Sequence, residues 1–423
     1  MRFPQLLLAL TLLLSLPLST QAAPTALIGA TVVDVETGGS LPDAVVLVDG
    51  ERISAVGARG QLAVPEDARR IDLSGKWLIP GLMNMHAHPA LTLPGKQEDE
   101  LANESDAAKA LRMAAAVRGA LHAGVTTIRD PGGSRLAIEL DRSIRKGESV
   151  GPRIYSAGDG LVITGGHDSD AGKIYADGPD ELVKAARLQI GLGASWVKIY
   201  ISGGIATDGG DIAEALMTPA EINAVVDAAH RFGAKVAAHS GSSAATTVAV
   251  DAGIDSIEHG YTLDRQVLRK MHKAGTWLVP TIVVSQPATA PFFERIGSPQ
   301  WYLDRRDAVG KQHWEALKMA IEEDVRIALG TDQLPQEPND GTTATVREAE
   351  YYVEAGMTPL QALRSATLET ARMLDASDDI GSLSPGKYAD IVAVDADPLE
   401  DISALRTIGF VMKGGTVYRH DAP

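Results

Sequence analysis

Two histidines separated by one residue, His86-Ala-His88, stand at the end of an apolar run that begins near Leu78. In extended chain, residues two apart point to one side, so both imidazoles can grip one cation. Polar residues end later apolar runs in the same way: Val236-Ala-Ala-His239, Ile257-Glu-His259 and Ala328-Leu-Gly-Thr-Asp332. A further run, Ser195-Trp-Val-Lys-Ile-Tyr-Ile, carries Lys198 inside it. Singly, each has a plain structural reading. A lone strand-end histidine is more often hydrogen-bonded structure than ligand, a lysine there is usually a solvated charge or a phosphate contact, and an aspartate after Gly-Thr often only caps the next helix. What joins them is position: four histidines, a lysine and an aspartate fall at the ends of five apolar strands, which is the donor set of a metal centre. The chain has no cysteine, so His, Asp, Glu or Lys must hold any metal, and disulfides, thiolate sites and a cysteine nucleophile are excluded.

Those residues need a scaffold that gathers strand ends. Apolar strands are expected near Leu78–Asn84, Val125–Arg129, Arg153–Ala157, Trp196–Ile201, Lys235–His239, Ser256–Glu258, Trp277–Thr281 and Arg326–Gly330. Amphipathic runs alternate with them, such as Ala107–His122, Pro179–Leu192, Pro219–Phe232, Asp264–Ala274 and Trp301–Glu323. Eight strands alternating with helices over the 254 residues from Ile79 to Asp332 fit a closed (β/α)8 barrel, an α/β TIM-barrel fold of about 250 residues whose chemistry sits at the C-terminal ends of the strands. The rival open doubly wound sheet wants a Gly-rich first turn, and no G-x-G-x-x-G follows the first strand.

The two ends of the chain have another texture. From Thr25 to about Leu78, and again from Gly386 onward, short strands are separated by turn signals such as Asp49-Gly50 and Gly414-Gly415. Neither part makes a stable sheet alone, so residues 23–78 and 380–423 are expected to meet as one small β-sandwich domain around an inserted barrel over 79–379. Ahead of them, Arg2 precedes an apolar run from Leu6 to Leu18 that gives way to small residues at Thr20 and Ala22. That is the pattern of a secretory signal peptide over 1–22, cleaved near Ala22, and it predicts a secreted or periplasmic protein. The run is too short to span a membrane as a helix. A formal charge of −16 over 423 residues disfavours nucleic acid and anionic lipid surfaces as partners, and 45% hydrophobic content rules out global disorder.

The order His86-x-His88, Lys198, His239, His259, Asp332 resembles the binuclear metal-dependent amidohydrolase superfamily, as do the phrases Leu78-Ile-Pro-Gly-Leu-Met-Asn-Met-His-Ala-His and Ser384-Pro-Gly-Lys-Tyr-Ala-Asp-Ile-Val. The resemblance spans essentially the whole mature chain. It implies two divalent metal ions, with His86, His88 and Asp332 on one, His239 and His259 on the other, and a carboxylated Lys198 bridging both. Zinc is the ordinary choice for such ligands, with cobalt, manganese and iron also compatible. A free ammonium repels a dication and offers no lone pair at neutral pH, whereas a carbamate is an anion with an oxygen for each metal. The mechanism then expected is a metal-activated hydroxide attacking the scissile carbonyl, with Asp332 carrying the proton to the leaving nitrogen. Gly-x-Ser-x-Gly is absent, which disfavours a nucleophile-elbow serine hydrolase.

Within the superfamily the chain is similar to the prolidase-like and ochratoxin-degrading group, through Val197-Lys-Ile-Tyr-Ile-Ser-Gly-Gly204, Thr126-Thr-Ile-Arg-Asp-Pro-Gly-Gly133 and Ile163-Thr-Gly-Gly-His-Asp168. The substrate this implies is a small amide, an N-acyl amino acid or dipeptide with a free C-terminal carboxylate, and the assembly a homo-oligomer. Tyr200 shares a face with Lys198 and either donates to the oxyanion or packs. His167 is either a second oxyanion or carboxylate contact or a loop hydrogen bond. Arg129 either binds a substrate carboxylate or pairs with an internal acid such as Asp130, the reading favoured here. The segment 285–299, with two Phe and three Pro, is expected to be an apolar wall, a lid or an oligomer contact, and 333–341 to line the same mouth. A deaminase is disfavoured because Glu258, adjacent to His259 on a strand, faces the other way. A cyclic amide, lactone or phosphotriester hydrolase would use the same metal centre, and a non-catalytic binding protein on a dead barrel is the remote alternative.

Overall fold

A computed structural model describes residues 23–167 and 172–421; the expected leader over 1–22 and Asp168 lie outside them. Strands Leu82–Asn84, Val125–Asp130 and Arg153–Ser156 pair in parallel in that order. A second parallel run pairs Trp196–Tyr200, Lys235–Ser240, Ser256–His259 and Trp277–Val279, and Leu278 then bridges Ile327. Hydrogen bonds cross both remaining seams, from Ser195 N–H to the Ser156 carbonyl (3.1 Å) and from Met85 N–H to the Leu329 carbonyl (2.7 Å). The ring is that of a (β/α)8 barrel. Helices such as Asp106–His122, Gly178–Leu192, Pro219–His230 and Arg265–Ala274 cover its outside.

Side-chain alternation explains why chemistry collects at one end. Along Trp196–Tyr200, Val197 and Ile199 join the large apolar cluster shared with the helices, while Trp196 joins an interior cluster with Met83, Met85, Ala237, Val279 and Ala328. The inward residues of this strand are therefore Trp196, Lys198 and Tyr200, an apolar plug below and polar groups above.

The chain ends form one eight-stranded sheet with the order Thr416–His420, Phe410–Lys413, Ile391–Val394, Trp77–Pro80, Thr25–Val33, Ser40–Asp49, Arg52–Ala58, and Arg69–Asp72 paired to Thr25–Val33. It folds over its own core of Leu27, Val46, Ile391, Phe410 and Met412. Ile53 N–H donates to the Lys387 carbonyl at 2.9 Å and ties the edge strand Arg52–Ala58 to the segment that leads into Ile391–Val394. The Gly414-Gly415 hairpin has both central residues left-handed, at φ 50° and 72°, the geometry that matches strand twist.

Two expectations need correction. The single strand read over Leu78–Asn84 is two strands: Trp77–Pro80 belongs to the terminal sheet, with Ile79 opposite Val392, and Leu82–Asn84 begins the barrel. Between them Gly81 passes so close to the next strand that a Cβ would lie 2.2 Å from Thr126 Oγ1. The segment 285–299 is largely helical, including Ala290–Arg295, with Phe292 and Phe293 buried; Phe293 packs on Tyr302. Its Phe side chains are core. No helix among the described residues is long and apolar enough to cross a membrane.

Candidate metal centre and active site

The eight residues singled out in the sequence, His86, His88, His167, Lys198, Tyr200, His239, His259 and Asp332, line one pocket of about 540 Å³ at the C-terminal mouth of the barrel. His86 Nε2 lies 3.1 Å from His88 Nε2, and Asp332 Oδ1 lies 3.2 Å from each. These are close to the edges of a tetrahedron around an ion with ligand bonds of about 2.0–2.1 Å, roughly 3.3 Å. Each imidazole turns its other nitrogen to a carboxylate: His86 Nδ1 to Glu258 Oε2 at 2.7 Å, and His88 Nδ1 to Asp130 Oδ1 at 3.2 Å. Nδ1 donates in both, which points the Nε2 lone pairs at the common focus, the arrangement that orients histidine ligands of metals. The donor set fits a divalent cation.

Electrostatics agree. Burial works against a charge on His88, but the flanking carboxylates of Asp130 and Asp332 outweigh it, and its pKa is pushed up to about 10. Burial also resists the charge of Asp332, and the imidazoles of His86 and His88 outweigh it, holding the carboxyl well below the usual range.

His239 and His259 stand beside this cluster, their ring centroids 4.6 Å apart and His259 4.9 Å from His86. Burial, then the charge of Lys198, lowers the pKa of His239 to about 3, which keeps it a neutral donor. Its Nε2 lies 3.0 Å from the Gly203 carbonyl, so Nε2 carries the hydrogen and Nδ1 the lone pair. Lys198 is 1% exposed, on the strand in register with that of His239, and its Nζ lies 5.2 Å from the Tyr200 ring centroid.

Strand parity alone would turn His259 away. The residue in register with His239 is Glu258, and His259 sits opposite Ser240. A left-handed backbone at His259, φ 67°, swings its ring back to the pocket. Thr281 and Asp332 end the next two strands with φ 54° each, so three strand ends in succession are strained where the chemistry lies. Thr281 Oγ1 sits 2.8 Å from His259 Nδ1.

Sequence reasoning missed the supporting shell. Arg129 does pair internally, but with Glu258 (Nη2 to Oε2, 2.6 Å), while Asp130 faces His88. Its Nε also donates to the Met85 carbonyl at 2.6 Å, and its Nη1 to Ser256 Oγ at 2.9 Å. Glu258 is unavailable to a substrate because Arg129, Ser256 and His86 occupy it, not because it faces outward. Thr207 holds His167 Nδ1, and the His167 ring stacks on His239 at 4.3 Å. Gly204 permits that stack: a Cβ there would meet His167 Cε1 at 2.3 Å and His239 Nε2 at 2.7 Å. Tyr261, Val284 and Tyr302 also line the pocket and stood out in no motif; only their places just beyond strand ends six and seven, or on the following helix, signal them.

Residues 77–418 match the family model described as "Amidohydrolase family". The chain belongs to that family and is a hydrolase acting on amide bonds. It is 29% identical over 442 residues to the ochratoxinase of Aspergillus niger, covering 95% of this chain and 88% of that one. Among solved structures it is similar to a Xaa-Pro dipeptidase with bound methionine, with TM-score 0.83, 31% identity and coverage of 94% of this chain and 100% of that one. It is also similar to a prolidase complexed with N-methylphosphonate-L-proline, with TM-score 0.86, 30% identity and the same coverage.

Proposed function

We propose that this chain is an exported, two-metal hydrolase that cleaves the amide bond of N-acyl amino acids or dipeptides bearing a free C-terminal carboxylate. The observation that carries the reading is the convergence of His86 Nε2, His88 Nε2 and Asp332 Oδ1 in a pocket that also holds Lys198, His239 and His259. The likeness to an ochratoxinase, a Xaa-Pro dipeptidase and a prolidase supports the substrate class. The leader pattern over residues 1–22 supports export to the periplasm or beyond.

In this reading His86, His88 and Asp332 hold one ion, His239 and His259 hold the second, zinc being the ordinary choice, and Lys198, carboxylated, serves both. Divalent ions here supply an acidified water and a polarised carbonyl. Asp332 accepts the proton of the attacking water and returns it to the leaving nitrogen. Tyr200 donates its hydroxyl to the oxyanion as the carbonyl carbon becomes tetrahedral. His167, kept neutral by burial, is fixed by Thr207 and contacts the oxyanion or the substrate carboxylate. Glu258 and Asp130 hold the two paired imidazoles in their ligating tautomers. A homo-oligomer, as the family resemblance implies, adds nothing these roles require, since all of them come from one chain.

The test is hydrolysis of a panel of dipeptides, N-acyl amino acids, lactones and cyclic amides by metal-replete and chelated protein. Chelator-sensitive release of a free C-terminal amino acid is expected. Opening of lactones or cyclic amides alone would overturn the substrate class.

A further inference from the structure

The pocket has two further phenols, beside that of Tyr200, that the mechanism above leaves idle. Tyr261 follows the sixth barrel strand, and Tyr302 lies on the helix Gln300–Glu322 after the seventh. They line the same pocket as Tyr200, which ends strand four, and His167, which follows strand three. Both rings are locked by packing. Tyr261 stacks on His259 at 5.0 Å with 4° between planes and meets His313 edge-on at 4.9 Å. Tyr302 packs on Phe293 at 5.1 Å and Trp301 at 6.0 Å.

They are 2% and 4% exposed, and among the described residues neither hydroxyl has a hydrogen-bond partner. The pocket histidines, by contrast, all have one: His167 on Thr207, His239 on Gly203, His259 on Thr281, His86 on Glu258 and His88 on Asp130. Two preset O–H groups border the pocket with no protein acceptor, so each is free to donate to an acceptor oxygen of a bound molecule. The surroundings also offer a substrate's cationic group no free counter-ion. Among the described residues Asp332 is the only carboxylate that lines the pocket, and His86 and His88 already flank it. The neighbouring wall is apolar, with Leu91, Leu93 and Val284.

We propose that Tyr261 and Tyr302 form an acyl subsite that selects substrates whose acyl half is uncharged and presents an acceptor oxygen beyond the scissile carbonyl, over dipeptides with a free α-ammonium group. The inference rests on the amide-cleaving reading and deepens it. An α-ammonium would be stripped of water beside two donors and no available counter-ion, whereas an N-acyl carbonyl accepts from both phenols.

The test compares Gly-Phe with N-acetyl-Gly-Phe, which share one scissile bond and differ in the charge and acceptor at the far end. Release of phenylalanine by the metal-reconstituted enzyme is followed for the wild type, Tyr261→Phe, Tyr302→Phe and the double variant. The acetylated substrate is expected to have a kcat/KM at least about tenfold higher, expressed mainly in KM. Each single variant should lower that preference about three- to tenfold, and the double variant should bring the ratio toward one. The substitutions keep both rings, and the wild-type ratio judges the proposal even if a variant fails to fold. Equal or better turnover of Gly-Phe by the wild type overturns the subsite while leaving the amide reading intact, and so does a preference unchanged in the double variant. Release of phenylalanine from neither substrate overturns the amide reading and the subsite with it.

Discussion

Glu258→Gln is a severe perturbation for so small a change in shape. The wild-type carboxylate is wholly buried and accepts from Arg129 Nη2 (2.6 Å), Ser256 Oγ (2.6 Å) and His86 Nδ1 (2.7 Å). Glutamine keeps the volume but has one acceptor oxygen for three donors and no charge. Arg129, 0% exposed, is left with the Met85 carbonyl, the Ser256 hydroxyl and the Trp196 ring, 4.5 Å from its guanidinium carbon. Breaking a buried pair from one side costs about 3–5 kcal/mol. The nearby charge of Asp130 offsets part of that, so the lower end, about 3 kcal/mol, is expected. His86 also loses the partner that sets its tautomer, which should weaken ion binding by roughly ten- to a hundredfold. Adding Arg129→Met removes the stranded cation, so stability should recover while ion affinity stays low.

The pH dependence has a definite sign. Burial opposes the charge of Glu258, and the guanidinium of Arg129 and the imidazole of His86 outweigh it, holding the carboxyl below its ordinary value of 4.5. A depressed carboxyl contributes stability that is present above its unfolded pKa and lost as pH falls through the folded value. The gap between wild type and Glu258→Gln should therefore be full at neutral pH and narrow below about pH 4.5. Urea unfolding of chelated proteins reads the stability without the contribution of bound ions, and ion titration reads the affinity. A Glu258→Gln protein within about 1 kcal/mol of wild type, with unchanged ion affinity, would refute the reasoning.

Lys198→Ala should abolish two-ion binding, as read by elemental analysis; a fully active variant with two ions per chain would remove Lys198 as the bridging group. Asp332→Asn should lower kcat at least about a hundredfold, the scale of general acid–base catalysis, and near-normal turnover at restored ion content would end its role as proton carrier. Gly204→Ala forces a methyl against His167 and His239 at 2.3–2.8 Å, and should cost about 1–3 kcal/mol of stability as well as turnover. Wild-type thermal stability and kinetics in that variant would show that the loop has room.

Much of the site was legible because barrel strands are buried on both faces. A strand such as Trp196–Tyr200 reads as an apolar run, so Lys198 stands out in it, and His86, His88, His239 and Asp332 mark run ends. The Asp49-Gly50 and Gly414-Gly415 hairpins were legible through turn chemistry. The split at Gly81 was not, because both flanking strands are buried and composition does not change across it. The partner of Arg129 was obscured because strand parity holds at Glu258 and fails one residue later, at the left-handed His259. Tyr302 was missed because it sits on a helix, where an aromatic residue is ordinarily core.

The most direct test of the central claim is an ion titration of chelated protein, with release of the free amino acid from an N-acyl amino acid as the readout. Activity that is negligible without ions, rises with added divalent ion and saturates at two equivalents per chain is the predicted result. Full activity in the presence of chelator, or saturation at one equivalent, would contradict it.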